Sequence, residues 1–473
     1  MKRLSDVFDD EIDRLAEKFG DRETALELVE EDHSLVRFYL PPEASWSAEI
    51  RRLTTAVGQR LTEIIRAITK ANPTLQGVID IVDFNATVSG QRIIDNARLS
   101  TLIEILSQHR LGLKDVEPDL LGRAYEYLLR KFAEGQGQSA GEFFTPKEVG
   151  WLIARLLQPK PGMTIYDPAC GSGGLLVKAQ LVANESPYGS KQPLHLYGQE
   201  LNHVTYAIAK MNMIIHDMEG EVAIGDTLRS PKFVSQTKVR TFDLVAANPM
   251  WNQTGYDDFF YEADSLSRFG FGYPTGSSAD WGWIQLMYAS LNEHGRAVIV
   301  LDSGAVSRGS GGQGGNRERD IRRQFVERDL IEAVVLLPPD LFYNTSSPGI
   351  LLCLNRAKPE ERRNNILVIN ASTQFEKGRP KNFIPDEKAE LIVGAFQEGE
   401  PVEGLVKIIT REEAAANDYN LSPSRYVARE DGPELMDVVA AFDLVQIADE
   451  SMKVADAAFR AAMERLGLTK ATK

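Results

Sequence analysis

From Ser5 to Glu134 the apolar positions recur at steps of three and four. In SAEIRRLTTAVGQRLTEIIRAI they fall at Ile50, Leu53, Val57, Leu61, Ile64, Ile65 and Ile68, one stripe along one side of a helix. RLSTLIEILSQH and PDLLGRAYEYLLRKF repeat the pattern, the second with Pro118 near its start, where a missing N–H costs little. EGQGQSAGE, Glu134 to Glu142, breaks the periodicity with small and polar residues and reads as a boundary and a mobile loop. Beyond Gly141 short apolar runs (MTIYD, LHLYGQ, EVAIG, FDLVAAN, RAVIVLD) alternate with helical stretches such as PKEVGWLIARLL, HVTYAIAKMNMIIH and WGWIQLMYASLN. That alternation predicts an α/β domain with a mostly parallel sheet covered on both faces. IEAVVLLP, GILLCLNR and NILVIN read as further strands closing the sheet, and from Asp386 onward helical patterns return. Three domains follow: helical 1–134, α/β 135–430, and a tail 431–473 of one or two amphipathic helices.

Length supports this division, since 473 residues exceed what one compact core holds. No run of eighteen apolar residues is present, which predicts no membrane span. The acidic start, MKRLSDVFDDEIDRL, lacks the apolar stretch of a secretory signal. Cys170 and Cys353 show neither metal-ligand spacing nor a disulfide framework, so no metal is expected and the reading is a cytoplasmic protein. The net charge of −15 argues against unaided nucleic-acid binding, because phosphate contacts need a basic surface. The acidity is partly local: Met1 to Asp32 holds twelve Asp and Glu against five Lys and Arg. A basic cleft elsewhere is therefore not forbidden, but a nucleic-acid substrate would need something else to help hold it.

Chemistry concentrates at successive strand ends, where open parallel sheets bind ligands. DPACGSGG follows MTIYD and opens a helix, and its glycines permit a tight turn against the donors of a helix N-terminus. It lacks the Gly-Lys-Ser/Thr ending that holds a triphosphate, which points to a nucleoside ligand without polyphosphate. YGQE ends the next strand with Glu200, suited to ribose hydroxyls. GDTL places Asp226 where it can receive an exocyclic amine, and NPMW follows the fourth strand.

EFFTPKEVG, DPACGSGGLL, YGQE, GDTL and NPMW, in this order, resemble the motif series of adenine-N6 DNA methyltransferases. More narrowly the chain resembles the modification subunit of type I restriction–modification systems. The likeness runs on through RGSGGQGGNRERDIRRQF and LFYNTSSPGILLCLNR to YNLSPSRYV. It implies a Rossmann-like sheet dependent on S-adenosylmethionine, preceded by an all-helical N-terminal domain and followed by C-terminal helices for subunit assembly. Glu142, Phe143, Phe144, Thr145, Pro146 and Lys147 would close over the methionine end of the cofactor; Thr145 and Pro146 also suit a helix cap and first turn. Asp167, Ser172, Gly173 and Gly174 would line the turn beneath it, Glu200 would hold the ribose, and Asp226 with Leu228 beside it the adenine. Asn248 and the Pro249 carbonyl would accept the hydrogens of the target amine, and Trp251 would stack on the flipped base, a contact worth about 1–3 kcal/mol.

Two positions depart from the pattern. Met250 stands where the family usually has proline, restoring an N–H and a free φ. Val306 and Ser307 stand where many relatives have an aromatic before RG, leaving Phe342 or Tyr343 as second platforms for the base. The glycine-rich SRGSGGQGGNRERD reads as a DNA-side loop with Arg308, Arg317 and Arg319 as phosphate contacts, or equally as a solvated charged loop. No segment resembles a target-recognition domain, so a separate DNA-specificity subunit is expected. The resemblance implies two copies of this chain per specificity subunit and a restriction subunit that joins them. Rival readings are a protein-glutamine or RNA N-methyltransferase, which shares Asn-Pro-Pro-aromatic motifs, and a non-catalytic cofactor-binding scaffold of a defence complex.

Overall fold

In the computed structural model, residues 1–88, 91–122, 124, 127–128, 145–187, 189, 191–312, 315–343, 345–428 and 438–465 are described. Four helices dominate the first 106 residues: α1 (Lys2–Phe19), α2 (Arg22–Glu31), α3 (Val57–Ala71) and α4 (Asn96–Leu106). Asp21 and Asp95 begin α2 and α4 by accepting the backbone N–H three residues on, which stabilises each start by about 1 kcal/mol. The expected stripe of α3 is buried at Val57, Leu61, Ile64, Ile65 and Ile68. It does not extend back to Ile50 within the same helix. Ala56 takes a left-handed conformation (φ 46°) after Thr54–Thr55, and Ile50 is buried from a separate 3-10 turn. A two-residue hairpin, Thr87–Val88 with Gln91–Arg92, further qualifies the all-helical expectation.

The sheet has nine strands: β1 (Thr164–Asp167), β2 (His195–Glu200), β3 (Gly220–Ile224), β4 (Phe242–Ala247), β5 (Leu291–Asp302), β6 (Ile331–Leu336), β7 (Gly349–Asn355), β8 (Asn365–Asn370) and β9 (Val406–Thr410). Their order is β9-β8-β6-β7-β5-β4-β1-β2-β3. β1 to β5 are mutually parallel, while β7 runs antiparallel between β5 and β6. β9 was not legible as a strand: VKIIT lies within a stretch of helical patterns, and it pairs antiparallel with β8 at the sheet edge. Alternate residues face opposite sides. Leu244 and Ala246 join one apolar cluster with Leu152 and Leu176; Val245 and Ala247 join another with Trp281 and Phe325. Burial on both faces explains why these strands read as continuous apolar runs.

Helices α5 (Lys147–Leu157), α6 (Gly174–Asn184), α7 (His203–Ile215), α8 (Asp280–Ala289), α9 (Arg317–Glu327) and α10 (Asp386–Glu398) flank the sheet. The chain order turns back at β1, with β2 and β3 laid to one side and β4 and β5 to the other. That reversal opens a crevice beyond the carboxyl ends of β1 and β4. The chain divides into two units, Met1–Val427 and Ala428–Lys473; in the second the described element is one helix, α11 (Val438–Arg465). The boundaries drawn near 134 and 430 lie outside the described residues. No helix among the described residues is long and apolar enough to cross a membrane.

Candidate active site

Asp167 ends β1 with its carboxyl 1% exposed, accepting the Ala169 N–H at 3.0 Å. Burial pushes this carboxyl up to about 8 against that hydrogen bond, and the charge of Glu200 adds in the same direction. Glu200, at the end of β2, accepts the Gly171 N–H (2.9 Å) with one oxygen and the Asn202 N–H (2.7 Å) with the other. One carboxylate thus ties the glycine turn to the neighbouring strand end. Gly173 turns the chain into α6 at φ 78°, a conformation that side chains disfavour.

A cavity opens here, lined by Thr145, Asp167, Gly171, Ser172, Gly174 and Asn248, with Asp119 and Lys178 on its wall. Asn248 leaves β4 only 8% exposed and is held from both ends. Its amide donates to Thr145 Oγ1 (3.0 Å), and its Oδ1 accepts the Trp251 indole N–H (3.2 Å). Thr145 therefore serves Asn248 and does not cap α5; Pro146 occupies the cap position, with no side-chain cap hydrogen bond. Lys147 pairs with Glu117 at 2.7 Å, while Glu142, Phe143 and Phe144 lie outside the described residues. Pro249 is buried and Met250 exposed. Trp251 is 7% exposed and packs edge-on against Phe342, ring centres 4.7 Å apart. In this conformation its indole is a packing and hydrogen-bonding group. Phe342 sits fully buried behind it, and Tyr343 is the exposed member of that pair.

Asp226 receives the Arg229 N–H (3.0 Å) and the Tyr256 hydroxyl (3.2 Å). Tyr256 belongs to the chain that follows NPMW, so the two strand-end turns meet through this contact. Thr227 donates to the Pro168 carbonyl at 2.6 Å, and Gln199 holds the carbonyls of Gly225 and Ser230. Leu228 is fully buried in the apolar cluster with Tyr166, where it anchors the turn.

Asn252, just beyond NPMW, adopts φ 51°. Its N–H goes to Asp280 (2.9 Å), and its side-chain oxygen accepts from Arg308 (2.9 Å). Arg308 also pairs with Asp280, Asp302 and Glu318. The sequence left phosphate contact and a solvated charge open for this arginine; in the structure three carboxylates meet the guanidinium, and it clamps the corner. Arg317 is paired with Asp258 and Arg319 with Asp418. The clamp also bears on Met250, because a corner without a proline at that position is held from outside two residues later.

Thr227 lies within GDTL without having been given a role, and sequence reading missed Asp119, Lys178, Tyr256 and Asp280. None carries a local signal, since each is placed by packing between segments distant in sequence. Among the described residues no group of three or more His, Cys, Asp or Glu is arranged to hold a metal.

Residues 116–434 match the N-6 DNA Methylase family, and residues 1–106 match the HsdM N-terminal domain. The chain is 36% identical over 466 residues to the type I restriction enzyme MjaVIII methylase subunit of Methanocaldococcus jannaschii, covering 93% of this chain and 76% of that one. It is 30% identical over 429 residues to the HindI methylase subunit of Haemophilus influenzae, covering 82% and 89%. The crystal structure of a type I restriction-modification methyltransferase subunit from Streptococcus thermophilus superposes with a TM-score of 0.72 at 27% identity, covering 90% and 92%. The chain belongs to the N-6 DNA methylase family, within its branch of type I restriction enzyme methylase subunits.

Proposed function

We propose that this subunit methylates the N6 amine of an adenine turned out of duplex DNA, using S-adenosylmethionine, at sites chosen by a separate specificity subunit. The observation that carries this reading is the single cavity shared by Asn248, at the end of β4, and the glycine turn at the end of β1. The donor set fits the cofactor: Asp167 and Asp119 line the cavity, and Glu200 and Asp226 stand at the next two strand ends, suited to a cationic nucleoside. When bound, S-adenosylmethionine supplies an electrophilic methyl group. Asp167 and Thr145 would hold its methionine end, Glu200 its ribose, and Asp226 its adenine amine.

The target amine is a poor nucleophile because its lone pair is delocalised into the ring. Asn248 Oδ1 and the Pro249 carbonyl are the acceptors that draw its hydrogens aside and free that lone pair. A carbonyl oxygen has two lone pairs, so Oδ1 can accept an amine hydrogen while Trp251 holds it. Thr145 and Trp251 fix the rotation of the amide beforehand, so that little reorganisation remains for the reacting state. Under the same reading, 1–134, 135–430 and 431–473 divide the work into helical docking, catalysis and subunit assembly. Two copies join one specificity subunit, and a restriction subunit completes the complex for cleavage.

The deciding experiment incubates the chain with its specificity subunit, duplex DNA and methyl-labelled S-adenosylmethionine, then digests the DNA to nucleosides. Label in N6-methyladenine is expected. Label elsewhere, or full site-specific methylation by this chain alone, overturns the reading.

A further inference from the structure

Asp119 comes from the segment that joins the helical region to the α/β domain, yet it lies against the glycine turn. Its carboxylate, in a residue 3% exposed, accepts from the Ser172 hydroxyl (2.8 Å) and the Asn212 amide (2.8 Å). Asn212 also donates to the Ser172 carbonyl at 3.0 Å, so the turn is gripped through side chain and backbone together. A Cβ at Gly174 would stand 2.4 Å from Asp119 Oδ2, and one at Gly122 would stand 2.3 Å from Ser172 Oγ. Both positions must stay bare for the carboxylate to reach the turn. The small residue at 174 is thus demanded by the chain itself before any ligand arrives. Burial pushes the Asp119 carboxyl up; the ammonium of Lys178, one turn further along α6 and 6% exposed, and the hydrogen bonds from Ser172 and Asn212 oppose that shift by favouring the anion.

Burying a carboxylate costs several kcal/mol unless charges and hydrogen bonds repay it. A contact needed only for packing would be met more cheaply by an apolar side chain. This carboxylate instead lines the cavity and holds the wall residue Ser172. We propose that Asp119 is a positioning residue for the cofactor: it locks Ser172 and the first turn of α6, making cofactor affinity depend on how the 117–122 segment is seated. The proposal rests on the cavity being the cofactor site.

The test titrates the full chain with S-adenosylmethionine by calorimetry, then measures kcat and cofactor KM with the specificity subunit present. Asp119→Asn keeps the shape and can still accept from Asn212, but it removes the charge near Lys178 and turns an amide donor toward the Ser172 hydroxyl; Kd and KM should each rise about 10-fold, with kcat at saturating cofactor within about twofold of wild type. Unchanged affinity, or a loss confined to kcat, overturns the proposal. Should that variant not fold, Asn212→Ala decides, because Asn212 grips Asp119 from outside the cavity wall. About threefold weaker binding supports the proposal and wild-type binding overturns it. A wild-type chain that binds no S-adenosylmethionine overturns the cofactor reading itself, and the control titration tells that failure apart.

Discussion

Trp251 makes two contacts that a stacking surface does not require, an N–H bond to Asn248 and an edge contact with Phe342. Replacing it by alanine opens a cavity in the core and should cost about 3–5 kcal/mol of stability, read by chemical denaturation. Trp251→Phe keeps an aromatic ring but removes the N–H donor and the second ring of the indole, so stability should fall by less than alanine's cost. Methyl transfer should then slow while the cofactor Kd stays near wild type, because the Asn248 amide loses its fixed rotation. Equal losses in Kd and kcat would assign Trp251 a purely architectural part. Asp167 gives a pH signature. Its carboxyl is held protonated up to about pH 8, whereas an unfolded aspartate ionises near 4. Between those limits the folded state carries the extra proton, so this group's contribution to stability falls as pH rises. A cationic ligand favours the anion, so cofactor binding at pH 7 should release close to one proton, with affinity rising until about pH 8. Calorimetry in two buffers of different ionisation heat measures that proton, and identical heats would exclude it.

Among the elements, the corner after β4 shows how a departure in sequence is compensated in space. Met250 brings a backbone freedom that a proline would remove, yet Asn252 is held by Asp280 from α8 and by Arg308 from the turn after β5. Arg308→Gln leaves Asp280, Asp302 and Glu318 facing one another and should destabilise the protein by about 3–5 kcal/mol. Methyl transfer at a temperature where the variant remains folded should also slow, because the corner carrying Asn248 loosens. A variant destabilised but fully active would show that the ion-pair cluster supports the sheet and not the corner.

For the whole molecule, the helical region is built onto α7: Met211, Ile214 and Ile215 pack into its apolar cluster, and Arg37 donates to the Ile215 carbonyl at 2.6 Å. At the same junction His216 lies 3.0 Å from the Pro118 carbonyl, which accepts its Nε2–H. Burial, helped by the guanidiniums of Arg3 and Arg37, pushes the imidazole down to about 4. The unfolded chain takes up a proton near 6.5, so stability from this group is complete above that value and is lost as pH falls towards 4. Comparing denaturation of His216→Gln and wild type across pH 7 to 4 isolates the effect. The variant should lose less stability over that range, and parallel curves would remove His216 from the acid response.

The strands and their helices were legible because both faces of the sheet are buried, which writes continuous apolar runs into the chain. The strand-end groups at Asp167, Glu200, Asp226 and Asn248 were legible because each turn keeps its polar residue next to the run it ends. Short edge pairing left β9 unreadable, since a five-residue run gains its identity from β8 and not from its own period. The left-handed Ala56, the burial of Trp251, the Arg308 clamp and the reach of Asp119 to Ser172 were decided by tertiary structure alone. The clamp and the Asp119 contact join residues 6 to 56 positions apart and the other two answer to packing around them, and a carboxylate's partner is set by distance in space, which no local pattern records.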